Sequence, residues 1–134
     1  MVILDTDFII GYLRKVPKVI EILSKYKQNE TELKTTIINM GELYKGAFLS
    51  TKLNENLEKI EEFFKNIIVL DLNIEIMKIY AKISADLRIK GEKVGDFDEL
   101  IASITIYHNE TLITRNIGHY ERIHQISLQN WEKL

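Results

Sequence analysis

Four polar clusters interrupt this chain where apolar runs end or helices begin: Asp5-Thr6-Asp7, Gly41-Glu42-Leu43, Asp96-Phe97-Asp98 and Thr114-Arg115-Asn116. Carboxylates in such places constrain the fold. A topology that gathers them must relieve their mutual repulsion by protonation or with a hard divalent cation. A metal-dependent site is the first expectation.

The segments between the clusters alternate in type. Met1 to Leu4 reads as a short buried strand, and the stretch to Arg14 carries Phe8, Ile9, Tyr12 and Leu13 at helical spacing. Pro17 suits the first turn of a second helix, with Val19, Ile20, Ile22, Leu23 and Tyr26 as its apolar face. Leu33 to Ile38 is the second strand. Met40, Leu43, Tyr44 and Ala47 continue as a helix carrying Glu42, and Leu53, Leu57, Ile60, Phe63 and Phe64 mark another, so that the two resemble a helical hairpin. Ile67 to Leu70, ended by Asp71, is the third strand. Ile76, Ile79, Tyr80, Ile83 and Leu87 make a long helix closing near Gly91. Asp96 or Asp98 then caps a helix whose buried face is Leu100, Ile101, Ile104 and Tyr107. Thr111 to Thr114 is the fourth strand; a helical turn through Tyr120 and Ile123 leads to an edge strand near Ile126-Ser127 and a tail with Trp131. Strands separated by helices imply an α/β fold, with a mostly parallel sheet of four or five strands covered on both faces.

The length of 134 residues is expected to form a single domain, 1-134, which buries roughly two-thirds of its unfolded surface. With 46% hydrophobic residues, 28% charged residues and one proline, the chain has the composition of a compact protein rather than a disordered one. The lack of cysteine excludes disulfides, thiolate metal sites and cysteine nucleophiles, and is compatible with a reducing cytoplasm. Asp5 breaks the opening apolar run at once and no run reaches membrane-spanning length, so a cytoplasmic protein without a membrane partner is expected. A formal charge of −2 argues against non-specific coating of DNA. Local basic groups, Arg14-Lys15-Val16-Pro17-Lys18 and Arg88, Lys90 and Lys93, read either as flanks for a phosphate backbone or as solvated helix ends.

In open parallel sheets the functional crevice lies outside the carboxyl ends of the strands. Asp5 and Asn116 fall just after strand candidates, Asp96 or Asp98 at a helix start, and Glu42 early in the helix after the second strand. Structural roles compete with these: Asp5 as a helix cap, Glu42 in a buried ion pair, one of Asp96 and Asp98 as a cap, Asn116 as a turn stabiliser. His108, His119 and His124 share no ligand spacing with the acidic set and read as surface or packing residues. Phe63, Phe64 and Tyr80 read as core or dimer interface, and Trp131 as a packing anchor.

The ordered segments Val2-Ile3-Leu4-Asp5-Thr6, Asn39-Met40-Gly41-Glu42-Leu43-Tyr44-Lys45-Gly46, Gly95-Asp96-Phe97-Asp98-Glu99-Leu100-Ile101-Ala102 and Leu112-Ile113-Thr114-Arg115-Asn116 carry a family resemblance, joined by Tyr120, Glu121-Arg122 and Trp131. The chain resembles the PIN-domain ribonucleases, specifically the small VapC-type toxins of bacterial and archaeal toxin–antitoxin pairs, over essentially its whole length. That resemblance implies a PIN-like three-layer α/β/α sandwich and a Mg2+-dependent endoribonuclease, with Mn2+ as a substitute, that hydrolyses RNA to leave 5′-phosphate and 3′-hydroxyl ends. It implies Asp5, Glu42, Asp98 and Asn116 as catalytic residues. The implied metal ligands are chiefly Asp5 and Asp98, with Glu42 beside them and Asp96 compensating for Asn116, which stands where relatives often carry aspartate. Thr6 and Thr114 are implied hydrogen-bonding groups, while Asp7 adds charge, caps the first helix, or both. The implied partners are RNA, a cognate antitoxin and a second copy in a homodimer.

Two other functions fit parts of the pattern. A haloacid-dehalogenase-like phosphotransferase shares Asp5-x-Asp7 after a strand, although Phe8-Ile9 replaces its small-residue turn. A catalytically weak PIN-scaffold module binding RNA or protein would follow from the charge lost at Asn116.

Overall fold

The computed structural model describes residues 1–134. Five strands, β1 (Val2–Leu4), β2 (Leu33–Thr36), β3 (Ile68–Leu70), β4 (Thr111–Thr114) and β5 (Ser127–Asn130), form one parallel sheet in the order β3-β2-β1-β4-β5. Seven helices connect them: α1 (Thr6–Leu13), α2 (Pro17–Gln28), α3 (Ile37–Leu49), α4 (Leu53–Phe64), α5 (Ile74–Ile89), α6 (Asp96–Tyr107) and α7 (Ile117–Tyr120), with a closing 3-10 turn at Trp131–Lys133. This is the expected three-layer α/β arrangement, with the edge strand completing five.

Pleating divides the core in two. Val2 and Leu4 of β1 and Ile113 of β4 point to a layer with Phe8, Ile9, Val19, Ile22 and Phe63, whereas Ile3 and Leu112 point to Ile83, Leu87, Ile101 and Tyr120 on the other face. In register, Ile3 lies opposite Leu112 and Leu4 opposite Ile113, so β1 and β4 share both layers. Gly11 lets α1 and α2 meet: a Cβ there would come within 2.8 Å of Val19 Cγ2.

Three local expectations fail for identifiable reasons. Ile37 and Ile38 belong to α3 rather than to β2, because the Thr36 hydroxyl caps Asn39 N while the Asn39 side chain returns to Thr36 N, a reciprocal start that outweighs the β preference of isoleucine. Neither Asp96 nor Asp98 caps α6. The cap is Gly95, at a φ of 132° that disfavours a Cβ, and the orphan backbone donors of Val94 and Gly95 are taken by Glu99 Oε2. Tyr107 is exposed, since the buried stripe of α6 runs through Glu99, Ile101, Ala102, Ser103, Ile104 and Thr105. No helix is long and apolar enough to cross a membrane.

Candidate active site

The sheet order reverses direction of growth between β1 and β4, and the crevice outside their carboxyl ends is where a parallel sheet of this kind presents functional groups. Asp5 follows β1 immediately and is 6% exposed. Its backbone extends the sheet by donating to Ile113 O, and its side chain starts α1 by accepting from Thr6 N. Both carboxylate oxygens are held: Oδ1 accepts from Asn39 Nδ2 at 2.9 Å and Oδ2 from the Thr114 hydroxyl at 2.7 Å. Burial and the neighbouring Asp7 push its carboxyl up to about 6, against the pull of those hydrogen bonds.

Glu42 arrives from α3. Its Oε1 accepts from the Thr6 hydroxyl at 2.8 Å, and Thr6 in turn accepts from Asn39 Nδ2. Burial raises the Glu42 pKa, and the charge of Asp98 raises it further. Asp98, in the first turn of α6, accepts from the Tyr120 hydroxyl at 3.3 Å. Tyr120 is fully buried, and burial together with Asp5, Asp98 and Glu42 raises its pKa far above the ordinary phenol value. It remains a neutral donor among three carboxylates.

Of the expected site residues, Asp5, Glu42 and Asp98 therefore share one crevice. Asn116 sits at its rim: its backbone N–H donates to the Thr114 hydroxyl, and its side-chain amide lies 3.1 Å from His119 Nδ1, which is 3.2 Å from Asp98 Oδ2. His119 holds the exposed position that its spacing suggested, with its side chain 51% accessible, and from there borders the site. One ring nitrogen serves a single hydrogen at a time, so a protonated Nδ1 bonds Asp98 and a bare one accepts from Asn116. Asp96 is turned away. Its exposed carboxylate accepts from the Tyr80 hydroxyl at 2.8 Å on α5, so it does not stand in for the missing charge at Asn116, and Tyr80 is not a core residue.

Asp7 is a clamp rather than a cap. It accepts from Arg115 N at 3.1 Å and Trp131 Nε1 at 2.8 Å, and Thr114 Oγ1 lies 3.1 Å away. Trp131 also meets Phe8 edge-on, with centroids 6.2 Å apart, so the anchor is polar as well as apolar. Trp131→Phe retains that ring contact and should cost about 1.5–3 kcal/mol through the lost bond to a carboxylate, measured by urea denaturation; an unchanged midpoint would show that Asp7 finds other partners.

The donor set suits a hard cation. Asp5, Glu42 and Asp98 offer only oxygen, and the carboxyls of Asp5 and Glu42 are raised first by burial and then by neighbouring carboxylates, both of which a divalent ion would offset. No three Asp, Glu or His side chains close into a ready-made cage. Magnesium does not require one, because it keeps several waters and takes one or two carboxylates directly. A concavity of about 930 Å³ between α1, α2 and α4 contains none of these carboxylates. Chemistry, not size, identifies the site. Asn39 and Tyr120 were present in the quoted motifs, but only their fully buried polar groups mark them as parts of it.

Comparison with known proteins agrees with this fold. The family model described as PIN domain matches residues 2–123. The chain is 34% identical over 131 residues to "Ribonuclease VapC1" of Haemophilus influenzae, covering 97% of each. It is 29% identical over 128 residues to "tRNA(fMet)-specific endonuclease VapC" of Salmonella typhimurium, covering 96% of each. The crystal structure of VapBC2 from Rickettsia felis bound to a DNA fragment from their promoter contains a chain similar to this one at a TM-score of 0.90 and 29% identity, over 98% of this chain and 99% of that one.

Proposed function

This chain belongs to the PIN-domain family as a VapC-type ribonuclease, the toxin of a toxin–antitoxin pair, and from that premise we propose that it is a magnesium-dependent endoribonuclease, acting in the cytoplasm and leaving 5′-phosphate and 3′-hydroxyl ends. The observation that carries the reading is the meeting of Asp5, Glu42 and Asp98 around the Tyr120 hydroxyl. Asp5 and Asp98 would hold the ion, with Glu42 beside them. When bound, magnesium supplies a water of lowered pKa and positive charge against that developing on the phosphate.

The chain's own groups pre-set this arrangement. Asn39 and Thr114 fix both oxygens of Asp5, Thr6 holds Glu42, and Tyr120 holds Asp98. Carboxylates so held need no reorganisation when substrate arrives, which is the main economy of preorganised electrostatics. Tyr120, its pKa raised, donates but does not serve as a base. Asn116 lowers the charge at the rim, where its side-chain amide and Asp98 compete for the same His119 Nδ1. The phosphotransferase alternative needs a second aspartate free to exchange protons, and Asp7 is engaged by Trp131 and Arg115.

The antitoxin is expected to cover the acidic crevice with a basic group, the charge complement of the three carboxylates. Phe48 and Leu49, 66% and 77% exposed at the end of α3, support an apolar homodimer contact on the α3–α4 hairpin. Transfer RNA is the first substrate pool to test, given the name of the Salmonella relative. The purified chain should cut it with magnesium or manganese and stop when the ion is chelated. Asp96→Asn, being outside the crevice, should cut like wild type. Cleavage that persists in chelator would defeat the metal reading.

A further inference from the structure

Beside the carboxylate crevice, on the far side of Asp7, lies a second hollow of about 470 Å³. Arg14 and Lys18 enter it from the end of α1 and the start of α2, and Arg115 enters from the segment after β4, one residue past the Thr114 that holds Asp5. Its two acidic members are Asp7 and Glu132. Asp7 is occupied by Trp131 Nε1 and Arg115 N, so its charge is already dispersed over the hollow's floor. Lys18 donates to the Leu134 oxygen. The two arginines are different: both are exposed, and neither guanidinium is ion-paired with Glu132 or with any other carboxylate. Arg115 lies over the Trp131 ring, 5.9 Å from its centroid, which orients its plane without consuming its hydrogen-bond donors.

A substrate polyanion approaching Asp5, Glu42 and Asp98 meets repulsion, and the chain as a whole carries a formal charge of −2. Affinity must then come from local cations placed one or two nucleotides from the cleaved bond, because exposed charges act over no more than about 8–10 Å at physiological salt. Of the basic groups in the sequence, Arg14 and Lys18 share a hollow with the strand-end segment of the site.

We propose that Arg14 and Arg115 form a subsite for an RNA backbone phosphate flanking the scissile one. It rests on the ribonuclease reading and adds to it where the strand lies: along the α1–α2 junction, held by two guanidinium forks rather than by base contacts. Such a contact positions the chain and carries no sequence information. Lys18, tethered to Leu134, closes the hollow's wall.

The test separates binding from cutting. In chelator, a fluorescent single-stranded RNA of about 12 nucleotides, long enough to span the crevice and its flank, is titrated by anisotropy at several salt concentrations with wild type, Arg14→Gln/Arg115→Gln and Arg14→Lys/Arg115→Lys. The glutamine pair should bind on the order of tenfold more weakly, with a salt slope smaller by about 0.7, the share of one lost phosphate contact on a single strand. The lysine pair should keep most of that slope. With magnesium, the glutamine pair should raise KM by the same factor and leave kcat unchanged. Equal affinity and slope for wild type and the glutamine pair would overturn the subsite, as would a fall in kcat at constant KM. Weakened binding of polyglutamate with RNA binding intact would assign the hollow to an acidic protein segment and overturn it too. A wild type that binds RNA through these arginines but cuts none would defeat the ribonuclease reading while supporting the phosphate contact.

Discussion

Asp5→Asn is expected to abolish RNA cleavage, by on the order of 10³-fold or more, while leaving the metal-free protein more stable than wild type at neutral pH. The two effects share one cause. The substituted amide can accept from Thr6 N and Asn39 Nδ2 as the carboxylate does, and can donate to Thr114 Oγ1, whose hydrogen then turns to Asp7 Oδ2, 3.1 Å away. The hydrogen-bond frame survives, but the charge that would hold a cation is gone. The folded carboxyl, pushed from 3.8 to about 6, binds its proton more readily than the unfolded one, so the folded state is favoured by acid. Between about pH 4 and 6 the Asp5 contribution to stability falls as pH rises, and it reaches a plateau above that window. The difference amounts to about 3 kcal/mol at pH 7, a penalty that Asp5→Asn escapes.

Melting curves of both proteins in chelator should therefore show the variant ahead at pH 7 and its advantage shrinking towards pH 5. Magnesium reverses the order once it stands at about a thousandfold excess over its Kd, where an ion that binds only the folded wild type adds about 4.1 kcal/mol. Asp98→Asn should be as inactive and should also fail to gain stability from magnesium. An Asp5→Asn protein that cuts RNA at the wild-type rate would remove Asp5 from the chemistry.

Lys34→Met should produce a large loss of stability far from the site. Lys34 of β2 bridges Glu110, just before β4, at 2.6 Å, and the two side chains are 12% and 5% exposed. The bond to Glu110 raises the Lys34 pKa, so the pair persists until the pH passes the ordinary lysine range and is lost above it. Removing the ammonium leaves Glu110 buried without its cation, a loss of about 3–5 kcal/mol. Lys34→Met/Glu110→Leu should recover most of that loss, since an apolar pair of similar volume often replaces a buried ion pair without cost. Urea denaturation at pH 7 measures both, and a double variant as unstable as the single one would show that packing rather than charge sets the penalty.

The alternation of strands and helices was legible because it is local. Apolar runs in Val2–Leu4 and Thr111–Thr114, Pro17 at a helix start and a halt near Gly91 depend on neighbours a few residues away. The order of the polar motifs likewise contained Asp5, Glu42 and Asp98. Boundaries went astray where side chains compete for backbone donors: the Thr36–Asn39 box moved Ile37 and Ile38 into a helix, and at α6 Glu99 took the Val94 and Gly95 donors while Gly95, not Asp96 or Asp98, stands at the cap.

What the sequence determined by itself was thus the kind of sheet, the end of it that carries function, and the oxygen-rich chemistry available there. The tertiary structure decided which neighbours in the chain became neighbours in the site. Asp96 and Asp98 stand two residues apart, but a helix turns about 100° per residue, so one reaches Tyr80 of α5 while the other reaches Tyr120 and His119. Trp131 finds Asp7 across 124 positions and Thr114 finds Asp5 across 109. No local periodicity encodes such meetings: they exist only once two apolar layers have closed on the sheet and fixed the direction in which each remaining polar group can point.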